Sequence, residues 1–384
     1  MSTNNRRETP STDIPALELP TDESVGALEP IAFFYGPMPT GVTVSHKGRI
    51  FVNFPKWGDN VQFSVAEIRG GEAIAYPDQS INNTNEEDQA STLVSVQSVV
   101  VDPADRLWIL DTGSPLFKPT EYGGPKMVCV DLNTNKVTKK ILFPQAVALP
   151  TTYLNDVRFD LRRGNEGIAF ITDSSQNGTN GIIVVDLASG ESWRRLNNHP
   201  STKAERIQTF LPIVEGRPFL EHQQDGSVKQ GAAMGADGIA ISSDGSLLYY
   251  CPLGSRKIYS VATDALANRN IHKREIISTV KDEGDRVGAS DGLESDSEGN
   301  IYSTNYEHNA IFRRRHYDNL WETVVHDPRL LWPDTLSIAT DGYIHVMANQ
   351  LHRQARFSRE GKDLRRKPYT LFRIRIDVQP VLLR

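Results

Sequence analysis

The sequence predicts an all-β chain folded as a six-bladed β-propeller, and three observations carry that prediction. Six times a short polar or acidic residue stands just ahead of a small-then-aliphatic pair: Thr40-Gly41-Val42, Gln97-Ser98-Val99, Asn155-Asp156-Val157, Asp237-Gly238-Ile239, Asp291-Gly292-Leu293 and Asp334-Thr335-Leu336. Each triplet opens a strand-turn-strand pattern, as in DGIAISSDGSLLYYCPLGS and DGLESDSEGNIYSTNY. Successive anchors are 57, 58, 82, 54 and 43 residues apart, the size of a unit of four short strands. The repeats run to the C-terminus without a linker, so residues 26–384 read as one toroidal domain. Such a ring escapes the usual size ceiling because each blade packs only on its neighbours.

Within the repeats the elements follow in order. In blade two, Pro103-Ala104-Asp105 turns into LWILD, followed by MVCVDL and VTKKILF. In blade four the inner strand is GIAISS (238–243), Asp244-Gly245 supplies a hairpin turn, and LLYYC (247–251) and RKIYSVA (256–262) follow. REIISTV (274–280) reads as its outer strand. Blade five turns at Glu298-Gly299-Asn300 and has AIFRR as its third strand. Blade six has TLFRIRID (370–377) third and then the chain nearly ends, so PIAFFYG (30–36) is expected to supply its outer strand and close the ring. Residues 1–25 are read as a disordered polar tail. Two insertions precede anchors: a polar loop over 72–94 and a long one over 197–236. The second has the length of a lid and should emerge on the face that carries the anchors.

Composition narrows the function classes. With 42 basic against 48 acidic residues the net charge is −6, so a nucleic-acid surface is not expected. No stretch approaches the roughly 20 apolar residues of a membrane span, so no membrane partner is expected either. The N-terminus has no apolar core, which reads as cytoplasmic for the sequence as it stands, or secreted if a leader has been removed. Cys129 and Cys251 fall in apolar strands of different repeats and read as buried hydrophobes. A monomer or weak homo-oligomer acting on a small organic substrate fits this composition. The N-x-[ST] triplets at Asn82 and Asn177 matter only on a secretory route.

The six anchors begin the innermost strands, so Thr40, Gln97, Asn155, Asp237, Asp291 and Asp334 should crowd one mouth of the central channel. Three carboxylates near one axis repel, so a proton is retained or a cation neutralises them. The first state suits acid–base work; an oxygen-rich ring also suits calcium or another divalent cation. An Asp ahead of a Gly is equally a turn residue. Asp244, Asp296 and Asp341 lie at hairpin turns and read as structural, while Asp111 and Asp173 read as loop braces. No G-x-S-x-G, H-E-x-x-H or phosphate-binding glycine loop occurs. Among the loop histidines His199, His222, His308 and His352, the one in the long insertion, His222, is the candidate to cover the channel. Trp332 and Tyr35 are candidate walls for a ring-shaped ligand, and Asn349 is a further candidate contact.

The segments PTGVTVS, GRIFVNFPKWGD, VQSVVVDPADRLWILDTG, YLNDVRFD, GIAFITDS, ADGIAISSDGSLLYYCPLGS and LWPDTLSIATDGYIHVMANQLHR resemble the major royal jelly protein/yellow family across roughly residues 30–355. The resemblance implies a six-bladed propeller and a functionally diverse family, with members linked to dopachrome isomerisation, to small-amine binding and to nutritive or pigmentation roles. More distantly the chain is similar to the gluconolactonase/senescence marker protein propellers. That similarity implies an axial divalent metal held by Asn155, Asp237 and Asp291, with Thr40 standing where that family has a Glu.

Together these readings predict a small-molecule enzyme of specialised metabolism. It would isomerise, tautomerise or cyclise a ring-containing electrophile without a cofactor, using Asp237, Asp291 and Asp334 for proton transfer. Asn155, Gln97, Thr40, Trp332, His222 and Asn349 would line the substrate. The alternatives are a metal-dependent lactonase-type hydrolase and a non-catalytic binder of amines or pigments.

Overall fold

The structure, a computed structural model, describes residues 22–384. Alternating apolar residues give each repeat strands with one buried face, and the strands pair in chain order into six four-stranded antiparallel sheets around a ring. The inner strands are Val42–Val44, Val96–Val101, Leu154–Asp160, Ala236–Ile241, Leu293–Ser295 and Pro333–Ile338. Those of blades three and four are buried at every position. Outer strands are polar and half exposed, as in Lys136–Leu142 of blade two and Lys281–Asp285 of blade four. Apolar side chains fill the layers between adjacent blades, where burial at roughly 25 cal/mol per Å² holds the ring together.

The ring closes with Glu29–Phe34 as the outer strand of blade six, paired antiparallel to Tyr369–Arg375 with Glu29 opposite Arg373 and Phe34 opposite Tyr369. Of the tail expected over 1–25, residues 1–21 lie outside the described residues. Beyond them, Val25 exchanges both backbone hydrogen bonds with His326 at 2.9 Å, adding a bridge to the outer strand of blade five.

Three local expectations are corrected. Residues 274–280 do not form the outer strand of blade four. Lys273–Ser278 is a helix, capped by His272 accepting from the Arg274 N–H, and Lys281–Asp285 supplies the strand. An apolar pair flanked by a cap and a first-turn Glu275 is ambiguous in period, and the cap decides it. The loop expected over 72–94 opens with the outer strand of blade one, Glu72–Ala75, and contains a helical turn, Gln79–Asn82. Tyr35 is 69% exposed, because it follows an outermost strand and therefore lies on the rim, far from the axis.

The small residue after each anchor has a steric cause. A Cβ on Gly238 would lie 2.4 Å from the Asp291 carbonyl oxygen, and one on Gly292 would lie 2.5 Å from that of Asp334. At these two places the neighbouring inner strand approaches so closely that only glycine fits. Second strands then brace the anchors. The Thr172 hydroxyl donates to the Asp237 carbonyl at 2.6 Å, and the Thr304 hydroxyl accepts from the Asp291 N–H at 3.1 Å.

The 197–236 insertion carries two small hairpins, Ile213–Val214 with Arg217–Pro218, and Leu220–His222 with Val228–Gln230. It buries Phe210, Val214 and Phe219 in one apolar cluster with Met38, Phe54, Tyr306 and Trp332. Pro380, Val381 and Leu382 of the C-terminal segment line a small cavity of about 70 Å³ together with inner-strand residues such as Val44, Val100 and Ser337. Among the described residues no helix is long and apolar enough to cross a membrane. Both cysteines are free and buried. The Asn82 side chain is 3% exposed and its Oδ1 accepts from the Ser64 and Val65 N–H groups, so that triplet is not a glycan acceptor in the folded state.

Candidate functional site

The six anchors converge at one mouth of the channel, each no more than 8% exposed. One anchor, Thr40, and the further candidate Asn349 are consumed by structure. Thr40 is fully buried, and its hydroxyl accepts from Asn53 Nδ2 at 2.9 Å, knitting blade one to blade two. Asn349 is fully buried as well, donating to Asp334 Oδ2 at 2.6 Å and to the Pro39 carbonyl at 3.1 Å, while its Oδ1 accepts from the Leu351 N–H. Neither has a polar atom left for a ligand, so both position rather than contact.

Asn155 and the three aspartate anchors form an acid cluster. Asn155 Nδ2 donates to Asp237 Oδ1 at 2.6 Å, and Asp237 is hydrogen-bonded to Asp291. Burial first, and then the neighbouring Asp291 charge, push the Asp237 carboxyl well above the usual carboxylate range. Asp334 is raised in the same direction by burial and by Asp291. Burial also raises Asp291, but hydrogen bonds from Trp332 and Asp237 pull it back, so it stops at about 6. One carboxyl that ionises near neutrality thus lies between two that keep their protons. Trp332 Nε1 donates to Asp291 Oδ2 at 2.8 Å. The indole is fully buried and stacks on Tyr306 with centroids 4.3 Å apart. Its backbone is left-handed at φ +58, a conformation costing a bulky residue of order 1–3 kcal/mol. That strain turns the indole N–H onto the acid.

Below this layer Arg158 bridges Asp156 at 2.8 Å and Glu294 at 3.3 Å across the channel. Above it, Gln97 Oε1 accepts from the Tyr153 hydroxyl at 3.0 Å, and that hydroxyl accepts from Trp57 Nε1 at 2.8 Å. Phe117 stacks on both rings, 5.3 Å from Trp57 and 5.0 Å from Tyr153.

The insertion covers the mouth. Phe219 packs against Trp332 at 5.1 Å and against Phe357 at 4.5 Å. Glu215 pins the insertion by a hydrogen bond from His352 at 2.7 Å and an ion pair with Arg353 at 2.5 Å. His222 is half-buried and lines a cleft of about 830 Å³ between the insertion and residues 352–366, outside the acid cluster. The histidine nearest the axis is His352, stacked on Trp332 at 5.8 Å. A lone His in a polar run gives no sign of this, since the contact depends on where the insertion lands. Phe117 and Arg356 are likewise illegible in the sequence, lying in segments without repeat equivalents. Asp111 and Asp173 brace loops: Asp111 accepts from the Val94 and Ser95 N–H groups and pairs with Lys126 at 2.8 Å, and Asp173 pairs with Arg194 at 2.7 Å.

Asp237 donates a hydrogen bond to Asp291, and Asn155 turns its amide N–H, not its carbonyl, toward Asp237. Among the described residues no group of three or more His, Cys, Asp or Glu is arranged to hold a metal ion. The residues as placed do not fit a divalent cation.

A family profile described as "Major royal jelly protein" matches residues 94–369, which contain five of the six anchors. The chain belongs to the major royal jelly protein family. Among its relatives, major royal jelly protein 7 of Apis mellifera is 30% identical over 193 residues, 49% of this chain and 39% of that protein. Protein yellow of Drosophila pseudoobscura pseudoobscura is 27% identical over 241 residues, 60% of this chain and 40% of that protein. The chain thus matches about two fifths of the length of these relatives. Among solved structures, a luciferin-regenerating enzyme superposes with TM-score 0.54 at 10% identity, covering 92% of this chain and 98% of that one. The calcium-binding protein regucalcin from Agrobacterium tumefaciens gives 0.53 at 14%, covering 91% and 98%. At such identities the likeness is one of fold, and this member of the family shares the propeller with both.

Proposed function

We propose that the axial acids relocate protons on a small, ring-containing electrophile: an isomerisation, tautomerisation or cyclisation that needs no metal. The observation that carries this reading is the hydrogen-bonded pair Asp237–Asp291, two buried carboxyls of unlike acidity. Above pH 6 ionised Asp291 accepts a proton from an acidified C–H or N–H of the substrate. Protonated Asp237 or Asp334 delivers one to the carbonyl oxygen or to the distant carbon, and the product is an isomer with every atom kept. Asn155 and Trp332 hold the pair in register while the insertion keeps water away. The experiment is deuterium incorporation from D2O into a panel of ring-bearing enolisable carbonyl compounds, read by NMR. Label should enter with the wild type in EDTA and fall at least about 100-fold with Asp291→Asn, the usual weight of a general base. Unchanged labelling in that variant, or labelling that EDTA abolishes, would sink the proposal. The second outcome would favour metal-dependent lactone hydrolysis with Asn155, Asp237 and Asp291 as ligands.

One observation favours a second reading. Three clustered acids deprived of a counter-cation would gain from an ammonium ion placed among them, so a non-catalytic amine binder fits the same electrostatics. Stoichiometric recovery of an unaltered amine, with no label exchange, would select it.

A further inference from the structure

Resting on the proposal that the ligand lies at the axial mouth, we infer that Arg356 reads a carboxylate on that ligand. The substrate class is then an aromatic compound bearing both an anionic group and a basic nitrogen, as aromatic amino acids do. The guanidinium lies over the Phe357 ring at 4.5 Å and over Phe117 at 5.4 Å, between two aromatic faces. It makes no hydrogen bond or ion pair with any described residue, whereas its half-buried neighbours are matched: Arg353 by Glu215, and Arg365 by Asp59 and Asp363. A guanidinium held in a fixed plane with five N–H donors unspent is a bidentate receptor for a planar anion. Withdrawal from water already pushes its pKa down, so the arrangement is costly without a partner. Glu221 is near enough to bias it electrostatically but does not bond to it.

The aromatic wall is held under strain. Leu116 and Phe117 are both left-handed at φ +56, two consecutive non-glycine residues in a conformation that sites rather than scaffolds retain. The result is a stack of Trp57, Phe117 and Tyr153, with Arg356 over its middle ring. Tyr153 also joins the two charged regions. Its hydroxyl bonds Gln97 of the axial ring, and it feels the charges of Asp237 and Asp334 on one side and of Arg356 on the other. A flat ring against this wall would set its acid group on Arg356 and its basic nitrogen toward the axial acids.

Three indoles separate the contributions: L-tryptophan carries both groups, tryptamine only the amine, and indole-3-propionate only the carboxylate. Calorimetry on the full chain should give tighter binding of tryptophan than of tryptamine. Arg356→Gln should weaken tryptophan and indole-3-propionate by at least about tenfold and leave tryptamine within about twofold, with Arg356→Lys intermediate because a point charge replaces a fork. Equal weakening of all three would make Arg356 a mere wall, and unchanged affinities or no binding of any indole would overturn the inference outright. If Arg356→Gln fails to fold, the wild-type ranking and Arg356→Lys decide. Loss of deuterium exchange with this discrimination intact would overturn only the catalytic reading; the reverse would remove only the anion contact.

Discussion

A carboxyl group with no cation beside it and almost no water keeps its proton, and that rule shapes the chemistry of Asp237 and Asp334. Asp291 escapes because Trp332 and Asp237 both donate to it, which brings its pKa down to about 6. The sign of the linkage follows. A buried acid whose pKa is raised on folding favours the fold below the ordinary carboxylate range of about 4, and that contribution is lost as pH climbs through 6. Between pH 5 and pH 8 the wild type should therefore lose on the order of 1.4 kcal/mol relative to Asp291→Asn, about half of what a rise of about two pKa units carries, the rest being lost already between pH 3 and pH 5. Melting temperatures of the two proteins across that range measure it; parallel curves would mean that Asp291 titrates normally.

At the scale of elements, the 197–236 insertion is a docked cover with its own apolar anchors, and Glu215 is its latch. Bonds from His352 and then Arg353 hold the Glu215 carboxyl below the usual range, so the latch is fully formed at neutral pH and weakens only as pH falls through that depressed value. Glu215→Gln should free the hairpins without unfolding the ring. Trypsin cleavage at the exposed Lys229 should rise about fivefold at pH 7, the equivalent of roughly 1 kcal/mol for a partly exposed ion pair. Unaltered cleavage would show that Phe210, Val214 and Phe219 hold the cover by themselves. The same scale contains the clearest misreading of the sequence. Residues 273–278 carry an isoleucine pair that fits a strand or a helix, and the His272 cap, visible only in three dimensions, selects the helix.

For the whole molecule, closure is the decisive event: a strand near the N-terminus completes the blade that the C-terminal half begins. Phe34 is 6% exposed and meets Phe54 edge-on at 5.8 Å, so it joins blade six to blade one. Phe34→Ala should cost about 3–5 kcal/mol, as large-to-small core changes do, and should lower the cooperative unfolding transition of the entire ring. A separate early transition, with the rest of the melt unmoved, would instead show that the blades unfold independently.

By itself the sequence determined the number of blades, the strands of most of them, the closing strand and the six positions that meet at the axis. These follow from local periodicity and turn chemistry, repeated six times, with Gly238 and Gly292 where two inner strands nearly touch. Only the tertiary structure decided which axial groups stay available. Thr40 and Asn349 spend their hydrogen bonds on the frame, whereas Asp237 and Asp291 share one with each other. It alone also brought His352, Phe117 and Arg356 to the mouth, because they sit on connections whose course no repeat dictates. A residue's acidity and its free donors depend on neighbours from other blades, and a single strand's pattern holds no record of them.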